Sequence, residues 1–160
     1  MWFRKSGTTW NKSSAADNRA GLEELAAGAL APGLVAYRDG RAIGWVSLAP
    51  REDYERLTRA KVLAPIDDKP VWSIVCFVVS RSARGSGVAK ALLEAAVSFA
   101  REHGATTLEA YPVASERGRV PAADAFHGTQ SMFERAGFAV VEVRRFNATS
   151  PPRPIMRREL

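Results

Sequence analysis

Residues 71–105 read VWSIVCFVVSRSARGSGVAKALLEAAVSFAREHGA. An apolar run over 71–79 gives way to arginines and two closely spaced glycines. After them Ala89, Leu92, Leu93, Ala96, Val97 and Ala100 follow the helical period. The first run is apolar on both faces, as a central strand is, and Gly104 stands where a helix C-terminus favours positive φ. TTLEAYPV, 106–113, then predicts another strand. Strand, glycine loop, helix and strand make a βαβ unit, whose crossover is right-handed and whose two strands lie parallel. The chain around such a unit is α/β.

The flanking segments predict an otherwise antiparallel sheet. Residues 18–30, NRAGLEELAAGAL, place Leu22, Leu25 and Ala26 at helical spacing, and APG then stops the helix. LVAYRDGRAIGWVSL, 34–48, has two alternating runs about Asp39-Gly40, the hairpin dipeptide of a type I′ turn. The charged segment 50–70 predicts a short helix at EDYERLT, 52–58, and then a loop broken by Pro65. Residues 114–128 make a polar loop, longer than a compact domain usually carries without a use. TQSMFERAG, 129–137, predicts a helix, and FAVVEVRRF and PIMRREL a closing strand pair. No internal repeat is present, and 160 residues suit one domain spanning 1–160 with one core.

Composition excludes several function classes. At 46% apolar and 25% charged residues the chain is globular rather than disordered. No apolar run nears the roughly 18–20 residues of a membrane span, and MWFRKSG lacks the apolar core of a signal peptide. A cytoplasmic protein without membrane attachment is expected. The lone cysteine, Cys76, has no disulfide partner and no companion set for zinc, so it packs as a small apolar residue and no metal is expected. The 23 basic residues against 17 acids are spread along the chain, without the clustered stripe or motif of a nucleic-acid binder.

The glycines sit where a helix begins. The first backbone N–H groups there have no partner within the helix, and the macrodipole adds positive charge, so anions bind. Gly85 and Gly87 let the backbone approach phosphate oxygens, and Arg84 adds a charged contact. A Walker loop would need lysine and then serine or threonine after the last glycine, where Val88 and Ala89 stand. A Rossmann fingerprint fits weakly: Ser80 to Arg84 separate strand from glycines and Lys90 holds the third glycine position, although Glu109 lies near the distance of a ribose-binding acid. A tight turn with no ligand is the remaining ordinary explanation.

RGSGVA, 84–89, also fits the pattern Arg/Gln-x-x-Gly-x-Gly/Ala. With the strand before it, the helix after it and MFERAGF at 132–138, the chain resembles the GNAT superfamily of acetyl-coenzyme A dependent N-acetyltransferases, from about residue 18 onward. The resemblance implies a mixed, mostly antiparallel sheet flanked by helices, with one parallel strand pair at the cofactor site. It implies that Arg84, Gly85, Ser86, Gly87, Val88 and Ala89 hold the coenzyme A pyrophosphate and that the backbone of Phe77 and Val79 pairs with the pantetheine arm. The first strand of such a fold is reduced here to MWFRKS, as if the chain began inside a longer one.

The implied reaction is acetyl transfer from acetyl-coenzyme A to a primary amine of a small molecule or peptide. Direct transfer needs a group to take the amine proton and a group to return one to the leaving thiolate. Many members use a tyrosine at the position of Phe133, which cannot donate a proton. Tyr111 has suitable chemistry for that step. Glu109, an acid inside an apolar strand and on the same face as Tyr111, suits the base if a partly dry cleft raises its pKa. Packing or ion pairing within the strand is the bland alternative for both, and His127 and Ser131 are weaker candidates. Trp45, Asp124, Phe126 and His127 are placed by the resemblance around the acceptor. A noncatalytic acetyl-coenzyme A sensor would explain the missing tyrosine, and the C-terminal strands leave room for a homodimer.

Overall fold

Asp39 and Gly40 both take positive φ, 51° and 73°, as a type I′ turn requires. They join β1 (Gly33–Arg38) to β2 (Arg41–Pro50) in an antiparallel hairpin. The computed structural model describes residues 1–114 and 125–160. Four further strands complete one sheet: β3 (Trp72–Val79), β4 (Thr107–Ala110), β5 (Ala139–Arg144) and β6 (Arg153–Glu159). Their spatial order is β1-β2-β3-β4-β6-β5. The pair β3–β4 is parallel and every other neighbouring pair is antiparallel. The sheet is therefore the mixed, mostly antiparallel one expected, with the parallel pair inside the βαβ unit.

The helices are α1 (Gly7–Lys12), α2 (Ala15–Ala26), α3 (Glu55–Arg59), α4 (Val88–Glu102) and α5 (Gln130–Arg135). Ser14 starts α2 earlier than its apolar spacing suggests, because its hydroxyl accepts from the Asp17 N–H while Asp17 accepts from the Ser14 N–H, a capping box. EDYERLT divides between a 3-10 turn, Arg51–Asp53, and α3. MWFRKS is not a shortened strand; Trp2–Arg4 form a 3-10 turn followed by α1. The N-terminal segment is fastened to α3 and its approach. Arg56 Nε donates to the Trp2 carbonyl at 3.1 Å, Arg4 pairs with Asp53 at 3.2 Å, and the Ser6 N–H donates to Glu55 at 2.9 Å.

The two faces of the sheet carry two apolar clusters, and a bulge in the β2–β3 register, where Ser47↔Cys76 is followed by Leu48↔Ile74, puts Ile74 and Phe77 on one face. One joins Ile74, Phe77, Leu108, Ala110 and Met156 to Leu92, Leu93 and Ala96 of α4 and to Phe133. The other joins Val75, Tyr111 and Ile155 to Phe3, Tyr54 and Leu57. At Gly44 of β2 an added Cβ would come within 2.7 Å of Val88 Cγ1 and 3.0 Å of Leu92 Cδ1. The absent side chain is what lets the first turn of α4 lie directly on β2, which fixes where the glycine loop sits relative to β3.

Candidate functional site

The parallel pair is short. Trp72↔Leu108, Ser73↔Glu109 and Ile74↔Ala110 are matched, and there β4 ends. Pro112, two residues on, has no N–H with which to continue a ladder. β3 runs on to Val79 with its other edge paired to β2, Phe77 opposite Val46 and Val79 opposite Gly44. Along 75–79 the edge that faced β4 is therefore free of that partner. Beside it opens a cleft of about 430 Å³ lined by Phe77, Val79, Arg84 and Ala89 together with Val78, Phe126, Gly128, Thr129 and Met132.

The turn expected to hold phosphates lies at the rim of this cleft. Gly85 and Gly87 have φ of 76° and 82°, in the left-handed region that glycine tolerates. No atom lies within 4 Å of where a Cβ would stand on either, so the space outside both is open. Gly87 is the N-cap of α4 and no side chain caps that end, which leaves its first N–H groups available to an anion. Val88 turns inward and is buried, whereas Arg84 and Ser86 are exposed. Ser86 Oγ donates to the Ala83 carbonyl at 2.8 Å and accepts from Arg38 at 3.2 Å. Arg38 escapes a reading of RGSGVA alone; its signal is its place at the end of β1, just before the Asp39-Gly40 turn. The residues present thus fit a pyrophosphate, on open space and unpartnered donors.

Glu109 and Tyr111 share a face, as alternation predicts, but they do not line the cleft. Glu109 is 1% exposed and Tyr111 1% exposed, both inside a polar cluster. Arg51 donates to Glu109 Oε1 at 2.9 Å and to the Tyr111 oxygen at 2.6 Å, and reaches the carbonyls of Leu57 and Leu63. Arg157 Nε donates to Glu109 Oε2 at 2.7 Å and its other nitrogens to Asp67. The single phenolic hydrogen of Tyr111 goes to Glu109 at 2.6 Å, so Ser73, 2.8 Å away, donates to the phenol. Burial, and after it the charge of Glu109, pushes the Tyr111 pKa well above its ordinary value. The hydrogen bond from Arg157 holds the Asp67 carboxyl down at about 2. Instead of an acid open to a partly dry cleft, the structure gives a carboxylate with both oxygens engaged by guanidinium groups from the 51–53 turn and from β6.

The remaining candidates separate. Phe126 lines the cleft. His127 is buried against it, with ring centroids 3.9 Å apart, and its Nδ1 has no partner among the described residues. Burial, with Arg153 adding to it, lowers the His127 pKa to about 3. Trp45 lies over Gly33 at the β1–β2 pair and does not line the cleft. Ser131 is exposed on α5, and Asp124 falls outside the described residues. Phe133 is fully buried, packed edge-on against Phe77 and Phe138 at centroid distances of 6.1 and 5.1 Å. Cys76 is half-buried and its thiol pKa is raised by that burial.

The sequence profile described as the Acetyltransferase (GNAT) family matches residues 2–138. The chain belongs to the GNAT acetyltransferase family, whose members transfer acetyl from acetyl-coenzyme A. No curated protein matches it significantly. Solved structures similar to it include an acetyltransferase of the GNAT family from Streptococcus pneumoniae, at 13% identity and a TM-score of 0.59, covering 92% of this chain and 77% of that one. The ribosomal-protein-alanine N-acetyltransferase from Brucella melitensis is 22% identical with a TM-score of 0.52, covering 96% and 76%. The NatC complex bound to Gag peptide and CoA gives 15% and 0.59, covering 92% and 80%. At these identities the likeness is one of fold. Among the described residues no helix is long and apolar enough to cross a membrane, and no cluster of three or more His, Cys, Asp or Glu could hold a metal.

Replacing Glu109 with Ala leaves the buried Arg51 without its anion and Arg157 with Asp67 alone, and is expected to cost roughly 3–5 kcal/mol in urea denaturation. His127 has a folded-state pKa near 3 against an ordinary 6.5, so the unfolded chain binds more protons between those values. Stability is therefore expected to fall as pH drops from about 6.5 toward about 3. His127→Phe should flatten that part of the profile, read from urea midpoints measured at neutral and at mildly acidic pH.

Proposed function

We propose that the protein transfers the acetyl group of acetyl-coenzyme A directly to a primary amine, and that one domain over residues 1–160 does so in the cytoplasm. The observation that carries this reading is the pairing of an open, positive-φ glycine turn at an uncapped helix N-terminus with a strand edge released from its partner, on one cleft. In this reading residues 84–89 hold the pyrophosphate through backbone N–H groups and the Arg84 guanidinium. The backbone of Phe77 and Val79 orients the pantetheine arm. Bound there, acetyl-coenzyme A supplies an acetyl thioester, so that a C–N bond forms to the amine as C–S breaks, and the proton lost by nitrogen balances the one gained by sulfur.

Glu109 and Tyr111 are assigned the placing of that cleft rather than contact with reacting atoms; their burial and mutual bonds support this role. The acceptor is a small-molecule or peptide amine. A peptide amine is supported by the fold likeness to NatC, whose structure carries a Gag peptide. A second reading, a sensor that binds acetyl-coenzyme A without turnover, is favoured by one observation: Phe133, at the position where the family resemblance leads one to expect a tyrosine in many members, is a hydrocarbon ring fully buried in the core. Binding with no acetylated product across a broad amine panel would select it.

Gly87→Leu tests the turn. No protein atom crowds that position, so the fold should survive with a left-handed strain of about 1–2 kcal/mol. The new side chain would occupy the anion's space, and acetyl-coenzyme A affinity measured by calorimetry is expected to fall at least about tenfold. Unchanged affinity would remove the glycine turn from the site.

A further inference from the structure

A second cavity, of about 360 Å³, lies beside the cleft and is lined by Trp2, Phe3, Trp10, Cys76 and Phe126. Phe126 belongs to both cavities. Cys76 and Phe77 are successive residues of β3, so their side chains leave opposite faces of the sheet, Cys76 into the second cavity and Phe77 into the cleft. The two spaces therefore flank the same stretch of β3, the part beyond its last pairing with β4. We infer that the second cavity receives the acceptor, and that the acceptor amine is attached to an uncharged aromatic or branched aliphatic group which this cavity holds. The inference rests on the acetyl-transfer reading and adds the substrate class.

The lining chemistry selects the occupant. Four of the five side chains are aromatic, and their only polar groups are one thiol and two indole N–H groups. Trp2 and Trp10 stand edge to face at 5.2 Å and 88°, which makes a corner with two walls. Trp2 is left 40% exposed. A cationic group in an aromatic box is the competing idea, since ammonium ions bind ring faces. Here the guanidinium of Arg56 already lies 3.5 Å from the centre of the Trp2 ring, so a second cation at that indole would meet a like charge. An apolar group meets no such penalty, and the nucleophile must in any case reach the thioester as a neutral amine.

The walls are held in place without the occupant. Phe3 is 5% exposed in the core, and the Trp2 carbonyl is tied to Arg56. Trp10, by contrast, lies on α1, which buries none of its residues, so truncating it should leave the fold intact.

Cys76 is the only cysteine in the chain, so its alkylation reports on this cavity. The first experiment follows N-ethylmaleimide labelling by intact mass without coenzyme, in the presence of phenylalaninamide, leucinamide or glycinamide. Phenylalaninamide and leucinamide are expected to slow labelling several-fold and glycinamide not to, and Trp10→Ala should abolish the protection. The second experiment measures acetylated product, for which kcat/KM with phenylalaninamide should exceed that with glycinamide by at least about tenfold, a gap that narrows in Trp10→Ala. Equal labelling with all three amines, or equal kcat/KM for phenylalaninamide and glycinamide, would overturn the inference while acetyl transfer itself stood. Protection by the apolar amines with no acetylation of any amine would support the cavity as their site and sink the transfer reading instead.

Discussion

The site depends on where the parallel pair β3–β4 stops. Three matched residues hold it, and beyond Ile74 and Ala110 the strands part. Backbone polar groups in a protein interior need partners; among the described residues His127 bonds the Val75 backbone and Arg84 Nε donates to the Val79 carbonyl at 3.4 Å, and in the proposed reading the pantetheine arm meets the same edge. The parting is anchored by charge. Ser73, Glu109 and Tyr111 lie at its root, and Arg51 and Arg157 close on them from the turn after β2 and from β6. Burying such a cluster costs several kcal/mol per ion unless its bonds are nearly complete. Both Glu109 oxygens and the phenol are satisfied, which makes the arrangement stiff and hard to shift by sliding one strand.

Around that root the fold supplies two further fixed points. Gly44 lets α4 settle on β2 by way of Val88 and Leu92, so the helix N-terminus and its glycine turn reach the open end of β3. On the other face the N-terminal segment, tied to α3 through Arg56 and Glu55, brings Trp2, Phe3 and Trp10 over Cys76. The cleft and the aromatic cavity thus share β3 and Phe126, while each is built by a different layer of the protein.

Local signals carried far in the sequence. The hairpin at Asp39-Gly40 and the βαβ unit around RGSGVA depend on turn chemistry and on periods of two and 3.6 residues, which short windows contain. The early end of β4 had a signal too, in Pro112. The part played by Glu109 had none nearby: its two arginines lie 58 and 48 residues away, and only the assembled sheet brings them to one carboxylate. An acid in an apolar strand reads equally as a base or as half of a buried pair until its neighbours are known. The N-terminal segment was obscure for another reason. Its aromatic residues follow neither strand nor helix period, because Trp2 and Trp10 face a cavity and only Phe3 joins the packed core.

In the proposed reading the glycine turn and the released edge of β3 form one coenzyme site. Backbone amide NMR during titration with acetyl-coenzyme A tests it most directly. Saturable shifts are expected at Gly85, Gly87, Val88 and Ala89 and along 75–79, with Thr107 to Ala110 little changed. Shifts confined to other parts of the sheet, or saturation that leaves residues 84–89 unmoved, would contradict it.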